Sequence, residues 1–178
     1  MLVERWFTTS EPNAAGRMGI FRIVYGLFCL WHVGIFDLSL VAGAPEELRT
    51  THIALAEAVG ADLTAGQLRL LDAALVVALT FLVVGLRTRT ATIAVLVLGL
   101  YREVLLAPLK LEDSNPMLVF VVPMCMAVAG RWGDTYSLDA RARRRRGAAR
   151  VDPDDDGWSH FLAARAILVV LALSLIHI

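Results

Sequence analysis

The sequence predicts an all-α protein, a polytopic transmembrane helix bundle of about five spans with the last one cut short. Three observations predict it. Of the 178 residues, 57% are hydrophobic, against about 45–50% in soluble domains, and the mean hydropathy is +0.63. The apolar surplus is gathered into long blocks, as membrane chains require. The blocks do not alternate with polar residues, so backbone groups in lipid must be satisfied within helices rather than a barrel. The whole of 1–178 reads as one transmembrane domain, incomplete at its C-terminus, with 131–159 as a cytoplasmic charged loop.

A span needs about 20 apolar residues to cross a hydrocarbon core of about 30 Å. Five segments are candidates: 18–41, 69–86, 90–108, the shorter 116–130, and 160–178. The first begins near Met18 without a small-residue cleavage site after it, so it reads as a retained helix rather than a signal peptide. Between the first two spans, 42–68 carries Glu46, Glu47, Glu57 and Asp62, and its HIALAEAVG stretch suits a short interfacial helix. Residues 87–89 form a tight RTR turn, 109–115 is a short polar link, and 131–159 is hydrophilic.

Acids and bases balance at 17 each, so net charge points to no partner. Distribution says more. With the N-terminus inside, the inner side carries Arg5, Arg17, Arg87, Arg89, Arg131, Arg141, Arg143, Arg144, Arg145, Arg146 and Arg150. The outer side carries only Arg49, Arg69 and Lys110. This excess of eleven over three places the N-terminus in the cytoplasm. The RARRRR run reads as a stretch facing lipid headgroups, with no nucleic acid as partner. The DPDDDG run after it either pairs with the arginines or stays unstructured.

Ionisable groups inside spans cost about 2.5–3.5 kcal/mol each on insertion scales and usually face a bundle interior. Arg22, Tyr25, Cys29, His32 and Phe36 follow steps of three and four, which places them on one helical face. Gly26 beside them permits close helix approach. The inward topology puts His32 and Asp37 in the outer half of the first span, Asp72 near the outer end of the second, Arg102 and Glu103 in the outer half of the third, and Asn115 where the fourth begins. The candidate polar cluster is thus Arg22, His32, Asp37, Arg102, Glu103 and Asn115, with Arg22 and Arg165 nearer the inner face. Structural readings stand beside the functional ones. Arg102 and Glu103 suit an ion pair with neighbours, His32 a hydrogen-bonded core histidine, and Arg22 a side chain snorkelling to inner headgroups. Cys29 and Cys125 lie in apolar segments, which suits packing rather than a disulfide framework. His32, His52, His160 and His177 are scattered, and no metal-ligand spacing, nucleophilic triad or phosphate-binding loop is visible.

Several of these residues fall in motifs that resemble the HTTM / vitamin K-dependent gamma-carboxylase family. FRIVYG at Phe21–Gly26 is similar to the family's F-R-x-x-x-G opening of the first helix. VVGLRTRTA at Val83–Ala91 resembles its G-L-x-x-R connection. Asn115 stands where the family has an asparagine-rich segment, although Pro116 and Met117 replace its histidine and tyrosine. YSLDARARRRR at Tyr136–Arg146 resembles an S-x-D motif with a basic stretch, giving Ser137 and Asp139 as family positions. Trp158 and Arg165 fit the W…(L/A)R that leads into the following helix. The order and spacing hold from about residue 5 to 178.

The resemblance implies a multi-pass membrane carboxylase, a lyase acting on glutamate-type substrates. Oxidation of a reduced quinone of vitamin K or menaquinone type would generate a strong base. That base removes a proton beside a carboxylate, and CO2 adds to the carbanion. Membrane lipids, a quinone and CO2 are the implied partners. The family's base is a lysine just beyond the helix that starts after Trp158. Lys110 is this chain's only lysine and lies upstream of the S-L-D motif. LSLIHI at Leu173–Ile178 is the translation of CTG-TCT-CTT-ATA-CAC-ATC, a common transposase adaptor. The expectation is therefore an N-terminal fragment, inactive alone. A non-enzymatic membrane scaffold or subunit of the same architecture is the alternative. A small transporter is weaker, because no repeat or broken-helix pair supports it.

Overall fold

The computed structural model describes residues 13–35, 38, 43, 64–106, 117–129, 131–149, 165, 167 and 168, and all five helices among them are α. They are α1 (Ala14–Ile35), α2 (Ala65–Val84), α3 (Thr88–Leu106), α4 (Met117–Ala129) and α5 (Leu138–Arg145). The helices pack in chain order, α1 on α2, α2 on α3 and α3 on α4. No strand occurs among the described residues.

Local chemistry sets the ends of α2. Thr64 accepts from the Gln67 backbone N–H while the Gln67 side chain accepts from the Thr64 N–H, a reciprocal capping box. At the other end Gly85 turns left-handed, with φ of 73°. Its N–H and that of Leu86 return to the Phe81 carbonyl, which closes the helix as a glycine C-cap does. Three residues later α3 begins, so the connection is Gly85–Arg87 rather than the 87–89 expected from sequence. Thr88 and Arg89 are already helical.

The core joins one face of each long helix. Leu75, Ala78, Leu79 and Leu82 of α2 recur at helical spacing and meet Met18, Tyr25, Cys29 and Val33 of α1. Ala91 and Val95 of α3, Val122 and Met126 of α4, Trp132 and Ile167 complete the cluster. A Cβ on Gly26 would lie 2.6 Å from Val83 Cγ2, so the missing side chain is what lets α1 and α2 touch there.

The expectation of about five spans finds support for two of them. Among the described residues, α1 and α2 alone are long and apolar enough to cross a membrane. The 90–108 segment does form a helix, but α3 carries Arg89, Arg102 and Glu103 along its 19 residues. The 116–130 segment forms only the 13 residues of α4, interrupted by Pro123. At 1.5 Å per residue that is about 20 Å, short of a bilayer core. Of 160–178, only residues 165, 167 and 168 are described, all helical. Within 131–159, the described residues 131–149 hold a docked turn and the helix α5.

Candidate functional site

Two polar clusters occupy opposite ends of the α1–α2–α3 unit. At the first, Arg22 is fully buried. Its Nη1 donates to the carbonyls of Trp132 (2.9 Å) and Thr135 (3.4 Å), and its Nη2 to that of Tyr136 (2.6 Å). The fork geometry of a guanidinium suits several carbonyls held at once. Snorkelling is thereby excluded for Arg22.

The turn gripped by Arg22 runs directly into α5. Ser137 is the N-cap of α5, accepting from the Ala140 N–H at 2.9 Å and donating to the Gly133 carbonyl. Asp139 reaches across to the start of α3. Its Oδ1 accepts from the Arg87 N–H (2.9 Å), and its Oδ2 from the Thr88 N–H (2.7 Å) and hydroxyl (2.8 Å). The Asp139 N–H donates back to the Gly85 carbonyl at 3.0 Å. Burial pushes the Asp139 carboxyl up, but the Thr88 and Arg87 donors and the Arg143 charge outweigh it and hold it below the ordinary value. A carboxylate at a helix N-terminus also meets the positive end of the helix dipole. Trp132 adds an indole N–H to Thr92 Oγ1 at 3.0 Å and packs against Phe21 and Tyr25.

Arg22, Gly85–Thr88 and Ser137–Asp139, which stand in three separate sequence motifs, are therefore parts of one clasp. Sequence reasoning missed Thr88, Thr92, Trp132 and Thr135 as its members. A faint signal existed in Thr88 and Thr92, which sit one turn apart after a glycine.

The second cluster lies between α1, α2 and α3. Arg102 Nε donates to Asp72 Oδ1 at 3.0 Å, and Arg102 Nη1 lies 3.5 Å from Glu103 Oε1. His32 Nε2 stands 3.8 Å from the same Glu103 oxygen. Asp72 Oδ2 accepts the Leu38 N–H at 3.1 Å. Beside them is a cavity of about 10 Å³ lined by Cys29, Val33, Leu75, Leu79, Val95 and Gly99 with His32, Arg102 and Glu103. That room matches one water molecule.

The structure thus joins His32, Arg102 and Glu103 and adds Asp72, but puts Arg22 at the other end. Asp37 and Asn115 lie outside the described residues. Arg165 is buried. Among the described residues no group of three or more His, Cys, Asp or Glu is arranged to hold a metal ion.

Fold and clusters define a helical protein with two membrane-length apolar helices and buried ionic groups between them. Comparison with protein-family models, curated proteins and solved structures finds no match.

Proposed function

We propose that the chain is a multi-pass integral membrane protein with a cytoplasmic N-terminus, and that it belongs to a quinone-linked carboxylase similar to the vitamin K-dependent gamma-carboxylases. One observation carries the membrane reading. Arg22 and Arg102 point inward while large apolar groups point outward: the two arginines are 0% and 1% exposed, whereas Trp31 and Leu70 are 63% and 71% exposed. Ile20, Val24, Val77 and Val97 are likewise exposed. Only 39% and 28% of the most apolar stretches of α1 and α2 are buried in the fold, unlike core helices of soluble proteins. Apolar surface of this extent calls for an apolar surrounding. The inward orientation rests on the arginine asymmetry, and α3 joins such a bundle with its charges turned inside, because Asp72 and Glu103 accompany its Arg102.

The carboxylase reading rests on the family-like motifs and on the His32–Glu103 pair. A histidine and a carboxylate facing a small cavity suit proton transfer, and exclusion of water strengthens charge stabilisation there. The quinone is assigned to no described residue. A second reading is a non-enzymatic scaffold or subunit. The Asp72–Arg102–Glu103 network, in which the buried charges answer one another, favours it.

The test is to sequence the genomic region around the gene and to assay the product of its whole reading frame in membranes. A lysine one helix beyond Trp158, with CO2 fixation that needs reduced quinone and is lost in Glu103→Gln, supports the enzyme. A membrane-retained product that fixes no CO2 favours the scaffold. Release of the product by alkaline carbonate would sink both.

A further inference from the structure

α5 has two unlike faces. Ala140 is buried, and Asp139, its only acid, is turned onto Arg87 and Thr88. Arg143 bonds to the Gly133 carbonyl and to Asp134, at 2.9 Å from the latter's Oδ1. These residues make the docked side. Arg141, Arg144 and Arg145 fall at i, i+3 and i+4 and share the opposite side, and all three are exposed. Leu138 lies at the edge of that side and is exposed too, as is Tyr136 just before the helix.

The clasp fixes where this outward face sits. Asp139 bonds to the first turn of α3, and its N–H to Gly85 at the end of α2. Arg22 holds the preceding turn against α1. The arginines are thus held level with the ends of the two membrane-length helices, at the height of a headgroup layer. No acid remains on the outward face, and the flanking Leu138 and Tyr136 match what an interfacial helix inserts beside its basic residues.

We propose that the outward face of α5 is a docking surface for anionic phospholipid headgroups, with Arg141, Arg144 and Arg145 as the phosphate ligands. This rests on the membrane reading above. Guanidinium groups pair with phosphate oxygens through charge-assisted, often bidentate bonds, and basic residues at a membrane surface each favour anionic lipid. The partner is a bilayer lipid rather than free phosphate because the site combines the charges with exposed apolar anchors at fixed depth.

The full chain is reconstituted into phosphatidylcholine bilayers containing a minor fraction of spin-labelled phosphatidylglycerol or, in parallel, spin-labelled phosphatidylcholine. The motionally restricted lipid fraction is read for each. A preference of about tenfold for phosphatidylglycerol is expected, falling to about unity in the Arg141→Gln/Arg144→Gln/Arg145→Gln variant and at high salt. An unchanged melting temperature in neutral lipid shows that the variant is folded, since these side chains lie off the docked face. Equal restriction of both lipids by the native chain, or an undiminished preference in the variant, overturns the proposal. So does loss of the preference on adding millimolar glycerol phosphate, which would make the site one for soluble phosphates. Recovery of the chain in the aqueous fraction overturns the membrane reading and this one with it, whereas incorporation without preference overturns this one alone.

Discussion

The carboxylate of Asp139 closes the N-terminus of a helix that begins 51 residues earlier, accepting both the N–H and the hydroxyl of Thr88. A side-chain cap of this kind is commonly supplied from the residue next to the helix. Here it comes from α5, so one residue in the first turn of α5 also closes the start of α3. Replacing Asp139 with Ala should lower stability by about 1–2 kcal/mol, read as a drop in melting temperature in neutral detergent, with Asn losing less. A melting temperature unchanged in Asp139→Ala would refute the cap.

The same residue gives a pH dependence. Its pKa in the fold lies below the ordinary carboxylate value, so the folded state favours the ionised form. The stabilisation is complete above about pH 4 and is lost as pH falls through the depressed folded value. The native chain should therefore lose melting temperature below about pH 4 more steeply than Asp139→Asn. Parallel curves for the two would assign the acid sensitivity elsewhere.

Arg22 answers three backbone carbonyls, those of Trp132, Thr135 and Tyr136. Leaving buried acceptors unmet costs about 1–3 kcal/mol each. Arg22→Met should destabilise by about 3 kcal/mol or more and expose 131–137 to proteolysis. Arg22→Lys should recover only part of this, because an ammonium lacks the planar fork. Full rescue by lysine would show that charge alone, not the spread of donors, holds the turn.

Gly26 and Val83 form a testable pair. Gly26→Ala should destabilise because its methyl would meet Val83 Cγ2. Val83→Ala in the same chain should restore much of the loss, giving a coupling of about 0.5–3 kcal/mol in a double-mutant cycle. Additive effects would mean that the helices part at this point without cost.

Orientation is tested at Ala148, an exposed residue just beyond α5. In a chain carrying Ala148→Cys, an impermeant maleimide should label only after cells are permeabilised. Labelling in intact cells would reverse the orientation. Cys29 is buried, and a Cys125→Ser background removes the other thiol.

The parts legible in the sequence are those set by local periodicity. Apolar runs announced the long helices, and steps of three and four announced that Arg22, Tyr25 and Cys29 share the buried face of α1. The 116–130 segment was legible nearly to its bounds, since α4 covers Met117–Ala129, but apolar runs alone overstated how many segments have the length and apolarity of a span. The turn at 131–137 was not legible at all. Its bonds go to Arg22, 110 to 114 positions away, and nothing in its own polar composition signals order. α5 was missed for a related reason. LDARARRR has no apolar repeat, and its helix is set by the Ser137 cap and the docking of Asp139. In the second cluster the charges were visible singly, but the pairing of Asp72 with Arg102 depends on how α2 and α3 are juxtaposed.

The long reach of the clasp also governs the timetable of synthesis. When α1 leaves the ribosome, the carbonyls that Arg22 will hold do not yet exist, and Tyr136 follows only 114 residues later. Likewise Thr88 has no carboxylate above it until Asp139 is made, 51 residues on. The first three helices must therefore spend most of translation without their final fastening, and a nascent chain stalled before Asp139 would carry α1–α3 unlocked. The stretch from Trp132 to Asp139 is therefore the last part of the clasp to be made.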